Sequence, residues 1–242
     1  MNLLLLSNST QYGCGYLEHA LDTVKAFLPP DARLAFVPYA LADHDTYTAR
    51  VRDALEPAGI TVRGVHEGTD PVGELASADA VFVGGGNSFR LLAALYRTGL
   101  RDALRERVRD GLPYMGASAG TNMAAATLRT TNDMPIVQPP SFEALGLVPF
   151  QINPHYLDPD PESTHKGETR EERINEFLEE NDVPVLGLRE GSWLRVEGDR
   201  AQVQGARPAR LFTRGAPARE LPAGSDVSDL LTAPARFDAP AR

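Results

Sequence analysis

The stretch Leu112–Ala126, LPYMGASAGTNMAAA, decides how the rest of the chain is read. It opens on a short apolar strand pattern, turns through Gly116-Ala117-Ser118-Ala119-Gly120, and runs into small helix-compatible residues. This is G-x-S-x-G in strand–turn–helix context, the arrangement that lifts a serine hydroxyl above a parallel sheet. The glycines have a physical task, because so sharp a turn brings backbones together and leaves no room for Cβ atoms on either side. A helix that starts at the serine also turns its free N–H groups and positive dipole end towards any charge developing there.

Working outward, Asn2–Ser7 is a continuous apolar run, as expected of a central strand covered on both faces. Strand patterns recur at Arg33–Ala40, Thr61–His66, Ala80–Val83 and Pro113–Ala117. Helical spacing predicts helices over Tyr16–Leu28, Asp45–Ala58, Pro71–Ala78, Ser88–Arg97 and Arg101–Asp110. Alternation of this kind means βαβ units: an α/β class with a mostly parallel sheet and helices on both faces. The loops after the carboxyl ends of the strands are then the expected site. Two of them stand out, Gly84-Gly85-Gly86-Asn87 and the Ser118 turn.

Beyond Thr127 the pattern loosens. Thr130–Pro140 reads as loop, Ala144–Tyr156 as a strand ending in Asn153-Pro154-His155-Tyr156, and Asp158–Glu168 as an acidic loop. A charged helix over Arg170–Asn181 precedes a strand at Pro184–Leu188, which closes on Arg189-Glu190-Gly191. Trp193–Gly205 reads as a hairpin, with Ala209–Arg214 as a strand beside it. Residues 1–231 are expected to form one α/β domain, and residues 232–242 a frayed tail.

Composition bounds the function. With a formal net charge of −9 and a pI near 5.1, the chain has no basic stretch for nucleic acid. No apolar run approaches the ~20 residues a membrane span needs. Cys14 is the only cysteine, so an intrachain disulfide is impossible and a reducing cytoplasm is the expected compartment. A serine nucleophile needs a base that is itself oriented by a third group. Among five histidines, His19, His44, His66 and His165 lie in helices, strand ends or an acidic loop. His155 ends a predicted strand, behind a proline that fixes the backbone, and is expected to project from the same sheet edge as Ser118. Glu190 at a strand end, or Asp133 in the loop after the nucleophile helix, supplies the acid. The N–H groups of Gly86 and Ala119 are the candidate oxyanion donors. The triple-glycine loop matches neither G-x-x-x-x-G-K-[ST] nor G-x-G-x-x-G, which argues against a nucleotide.

Read together and in order, GGGN at Gly84, GASAGTN at Gly116, NPHY at Asn153, GETREERI at Gly167 and LREG at Leu188 resemble the peptidase E family of aspartyl dipeptidases. The likeness runs from about Asn2 to beyond Leu211. It implies a flavodoxin-like α/β architecture related to class I glutamine amidotransferases, with serine in place of their cysteine. It implies hydrolysis of dipeptides with an N-terminal aspartate, with no metal or cofactor and with paired subunits. By position, Ser118 is then the nucleophile, His155 the base, Glu190 or Asp133 the acid, and Arg170 the partner of the substrate carboxylate. A cyanophycinase-like peptidase of altered specificity, an α/β esterase and a non-catalytic binding module are the other readings.

Overall fold

The computed structural model describes residues 1–162, 164 and 166–239, so His165 and the last three residues of the expected tail lie outside it. In chain order the described residues run β1 (Asn2–Leu6), α1 (Leu21–Phe27), β2 (Arg33–Val37), α2 (His44–Leu55), β3 (Thr61–Gly64), α3 (Pro71–Ala76) and β4 (Ala80–Val83). Then come α4 (Ser88–Thr98), α5 (Leu100–Arg109), β5 (Tyr114–Ala117), α6 (Ala119–Ala124), β6 (Gln151–Tyr156), α7 (Arg170–Glu180) and β7 (Val185–Arg189). Strands β8 (Ser192–Glu197), β9 (Arg200–Gly205), β10 (Ala209–Phe212) and β11 (Arg219–Leu221) follow.

The main sheet has the order β3-β2-β4-β5-β1-β8-β9. Its first five strands are parallel, and β8–β9 is an antiparallel hairpin added beside β1. Leu3 to Leu6 of β1 are fully buried, and the pleat sends them alternately to opposite faces. Leu4 and Leu6 join Leu34, Phe36, Phe82 and Met115 under α1 and α2. Leu3 and Leu5 join Val37, Val81, Val83 and Tyr114 under α3, α4 and α5. Each such leucine contributes roughly 2 kcal/mol by leaving water. The fold is thus mixed α/β, with a mostly parallel central sheet covered on both faces.

A second sheet, β11-β10-β7-β6, was not foreseen. Strand β10 pairs with β7 rather than lying beside the hairpin, which corrects the reading of Ala209–Arg214. One face of this sheet, through Ile152, Leu186 and Leu188, shares the cluster beneath α4 and α5. On its other face Tyr156, Val185 and Phe212 pack against Ile174 and Leu178 of α7.

The expected strand over Ala144–Tyr156 begins only at Gln151. Upstream, the N–H groups of Ala144, Leu145, Gly146, Leu147 and Val148 donate to carbonyls of Met123 through Ala126. Those of Met123 and Ala124 end α6 and have no partner within the helix, and Ala125 and Ala126 follow it directly, so the apolar run is a buried cap rather than a strand. The expected helix over Tyr16–Leu28 is shorter for a similar local reason. Leu17 sits at φ 58°, is fully buried, and leads into one 3-10 turn before α1 begins. Of the segment expected to fray, residues 232–239 return to the body. Arg236 bridges to Asp182, Asp238 pairs with Arg129 at 2.7 Å, and the Ala239 N–H donates to Glu180 O at 2.8 Å.

At the start of α2 the His44 ring lies 5.4 Å from that of His66 and 5.1 Å from that of Tyr39. Burial first, then the neighbouring His66, hold the His44 imidazole below its ordinary value, against weaker support from Asp45. Protonation therefore favours the unfolded chain, and stability falls as pH drops through about 6.5. Thermal melts between pH 7.5 and about 5.5 are expected to show a falling melting temperature, with a shallower fall in His44→Gln. An equal slope in the variant would contradict this.

Candidate active site

Ser118 follows β5 directly and adopts φ 52°, ψ −111°, a conformation that residues with a Cβ rarely take. Holding it costs on the order of 1–3 kcal/mol, offset by the surroundings. Its N–H donates to Leu6 O at 3.1 Å and its carbonyl accepts from Asn122 N–H at 3.0 Å. The Thr121 hydroxyl donates to the same Leu6 carbonyl at 2.6 Å, and Tyr114 Oη–H donates to Gly120 O at 2.6 Å. Two glycines make the turn possible. A Cβ on Gly120 would stand 1.9 Å from Val83 O, and one on Gly116 would stand 2.6 Å from Gly120 O.

The Gly84–Asn87 loop lies against this turn. A Cβ on Gly85 would come within 3.1 Å of Ser118 Cβ. Gly86, at φ 133°, passes so near Ala40 that a Cβ would meet its carbonyl oxygen at 2.6 Å. Among the described residues the Gly86 N–H has no acceptor. Ala119 opens α6, where first-turn N–H groups have no intrahelical partner.

His155 comes from β6, so it projects from the second sheet and not from the edge that carries Ser118. A break in the β6–β7 register between Pro154 and Tyr156 puts His155 at φ 54°. Its Nε2 lies 2.9 Å from Ser118 Oγ, and its Nδ1 lies 2.8 Å from Glu190 Oε1. With the proton on Nδ1, the ring donates to Glu190 and leaves Nε2 to accept from the serine hydroxyl. Glu190 directly follows β7, and Gly191 turns the chain at φ 83°.

Asp133 is placed elsewhere. Its Oδ2 accepts from the N–H of Ser88 at 2.7 Å and from its hydroxyl at 2.6 Å, at the first turn of α4. Its neighbour Asn132 donates to Pro154 O at 2.8 Å and accepts from Asn153 Nδ2–H at 2.9 Å, steadying the strand that carries His155. Asn132 escaped the sequence reading because a loop asparagine reads first as a turn residue.

A cavity of about 550 Å³ opens beside the His155–Glu190 pair, with Tyr156, Asp158, Arg170 and Arg189 on its walls. Arg189 is already engaged, bidentate to both Asp158 and Glu220, and these carboxylates raise its guanidinium above the ordinary value. Arg170, the first residue of α7, is half-buried and makes no ion pair among the described residues. Burial pulls its guanidinium below the ordinary value and Arg173 adds to this, while the Asp133 charge opposes it.

Residues 3–204 match the model of peptidase family S51. A protein of Streptomyces coelicolor named peptidase E is 80% identical over 238 residues, covering 98% of each chain. One of Drosophila melanogaster named probable alpha-aspartyl dipeptidase is 54% identical over 233 residues, 95% of this chain and 97% of that one. Among solved structures, a peptidase from an acI-B1 actinobacterium superposes with a TM-score of 0.67 at 17% identity, covering 93% of this chain and 96% of that one. At that identity the superposition speaks for the fold alone.

The turn itself yields a prediction. Gly120→Ala is expected to lose about 3 kcal/mol of stability, because the new Cβ collides with a backbone carbonyl that cannot rotate away. Chemical denaturation measures this, and a loss under roughly 0.5 kcal/mol, the usual range of harmless substitutions, would contradict the packing described.

Proposed function

The chain belongs to peptidase family S51, and we propose that it is a serine dipeptidase cleaving dipeptides that begin with aspartate. The observation that carries this reading is the unbroken hydrogen-bonded line Ser118 Oγ, His155 Nε2, His155 Nδ1, Glu190 Oε1, at 2.9 and 2.8 Å. In that line Ser118 is the nucleophile, His155 the general base and Glu190 the group that orients the imidazole. Its specificity rests on the names carried by the relatives and on Arg170.

Ser118 Oγ attacks the aspartyl carbonyl carbon as its proton passes to His155 Nε2. The carbonyl oxygen, now an oxyanion, accepts from the N–H groups of Gly86 and Ala119, each worth on the order of 3 kcal/mol in the transition state. Collapse breaks the C–N bond, and His155 Nε2 gives its proton to the departing amine. A water then attacks the aspartyl ester, surrendering a proton to the same nitrogen; the bond between the acyl carbon and Ser118 Oγ breaks, Nε2 returns that proton to Oγ, and aspartate leaves with Ser118 restored. Throughout, Glu190 accepts from Nδ1–H and stabilises the imidazolium formed at each half-reaction.

Arg170 supplies the aspartate preference. A guanidinium offers two parallel N–H donors to a carboxylate, and an arginine in a cavity wall with no ion pair among the described residues has them to offer to substrate. Asp133 lies within electrostatic reach of Arg170 and is engaged with Ser88, which leaves Glu190 as the acid of the triad. A cytoplasmic location suits a chain whose one cysteine is Cys14. No α-helix among the described residues is long and apolar enough to cross a membrane. Pairing of subunits is part of the same proposal, and light scattering reads it.

Steady-state hydrolysis of Asp-Leu, Glu-Leu and Leu-Leu tests the reading. Asp-Leu alone is expected to turn over, with the rate indifferent to a chelator. Ser118→Ala is expected to lose at least ~10⁴-fold in kcat. Arg170→Ala is expected to lose about a hundredfold in kcat/KM for Asp-Leu, from two charge-assisted hydrogen bonds. Equal cleavage of all three dipeptides would remove the aspartate preference. Hydrolysis of an activated ester without any dipeptide cleavage would point to an esterase, and full activity in Ser118→Ala would remove the serine mechanism.

A further inference from the structure

The three side chains of the proposed triad come from three chain segments and two different sheets, so something must fix the sheets to one another at atomic precision. Strand β1 ends at Leu6, and the two residues after it, Ser7 and Asn8, are polar yet almost wholly buried, at 0% and 1% exposure. Polar groups so placed are retained only where they are bonded. The Ser7 hydroxyl donates to Leu188 O at 2.8 Å, two residues before Glu190, and accepts from the His155 N–H at 2.9 Å. The Ser7 N–H donates to Ser192 O at 3.0 Å. Asn8 Oδ1 accepts from the Gly191 N–H at 2.8 Å, and its amide donates to Thr10 O at 3.0 Å. Immediately upstream, the Leu6 carbonyl accepts from the Ser118 N–H.

From these contacts we infer that Ser7 and Asn8 are positioning residues for the reaction, locking the backbone of the base and of the acid to the end of β1, where the Leu6 carbonyl also holds the Ser118 N–H. Ser7 grips His155 at the residue whose φ of 54° departs most from an ordinary strand. Asn8 grips the residue after Glu190. Neither touches substrate, and both act through the placement of the His155 and Glu190 side chains. A hydroxyl suits the first position because one oxygen can donate and accept at once, which no apolar residue can do. Without it the His155 N–H loses its acceptor and Leu188 O loses this donor, and the irregular turn at His155 relaxes. An imidazole displaced by even ~1 Å costs about a hundredfold in rate. This inference rests on the triad proposed above.

The test compares wild type, Ser118→Ala, Ser7→Ala and Asn8→Ala with Asp-Leu as substrate. It also records the strongly downfield proton resonance of an imidazole N–H bonded to a carboxylate. Ser7→Ala is expected to lose about a hundredfold in kcat, to keep KM within about threefold, and to lose or broaden that resonance. Asn8→Ala, which leaves the strand pairings of β1 intact, is expected to show the same pattern at about tenfold and carries the test alone if Ser7→Ala does not fold. A kcat within about twofold of wild type in the folded variants overturns the inference, as does a fall in kcat with the resonance unchanged. If Ser118→Ala is inactive while Ser7→Ala and Asn8→Ala are unimpaired, only this inference fails. If Ser118→Ala keeps its activity, the triad reading itself fails.

Discussion

At the end of β5 two backbones pass closer than any Cβ allows. Gly120 lies where a methyl group would stand 1.9 Å from the Val83 carbonyl, and Gly116 lies under Gly120 in turn. That approach lets the chain leave the strand at φ 52° and begin a helix in the next residue, with Ser118 at the corner. The consequences spread outward. Strand β4, which supplies Val83, continues into the glycine loop, so pressing α6 against β4 also brings Gly85 to the serine. The strained corner is thus held between the glycine loop and the first turn of α6.

The second sheet solves the remaining geometric problem. A parallel sheet places many loops at one edge but gives little control over a side chain approaching the serine from the side. Strands β6 and β7 run parallel in a separate sheet whose inner residues share the main core. Their carboxyl ends therefore arrive beside β5 with His155 and Glu190 already adjacent. Both side chains stay partly open to solvent, at 38% and 54% exposure, which suits a site that admits a small peptide. The Arg189–Asp158–Glu220 cluster pins the outer wall of the cavity while Arg170 stays unengaged among the described residues.

What was legible in the sequence was local. The strand–turn–helix around Ser118 is encoded within fifteen residues, and the apolar runs of β1, β2 and β4 are the period of a sheet buried on both faces. His155 and Glu190 could be picked as strand-end residues, and the structure brings them together with Ser118. The second sheet was hidden because β6, β7 and β10 pair across long stretches of chain, and adjacency wrongly assigned β10 to the hairpin. The run Ala144–Phe150 is buried because it caps α6, and burial alone cannot tell a cap from a strand. Ser7 and Asn8 carry no pattern of their own. Two small polar residues after an apolar run read as a strand end until the partners of their side chains are known.

The most direct measurement of the central claim is covalent trapping with a small organophosphonate, read by peptide mass spectrometry and by the rate of adduct formation. The account predicts one adduct, on Ser118, formed at a rate that falls on the order of a hundredfold or more in His155→Ala. An adduct on another residue, or a rate on Ser118 indifferent to loss of His155, would contradict it.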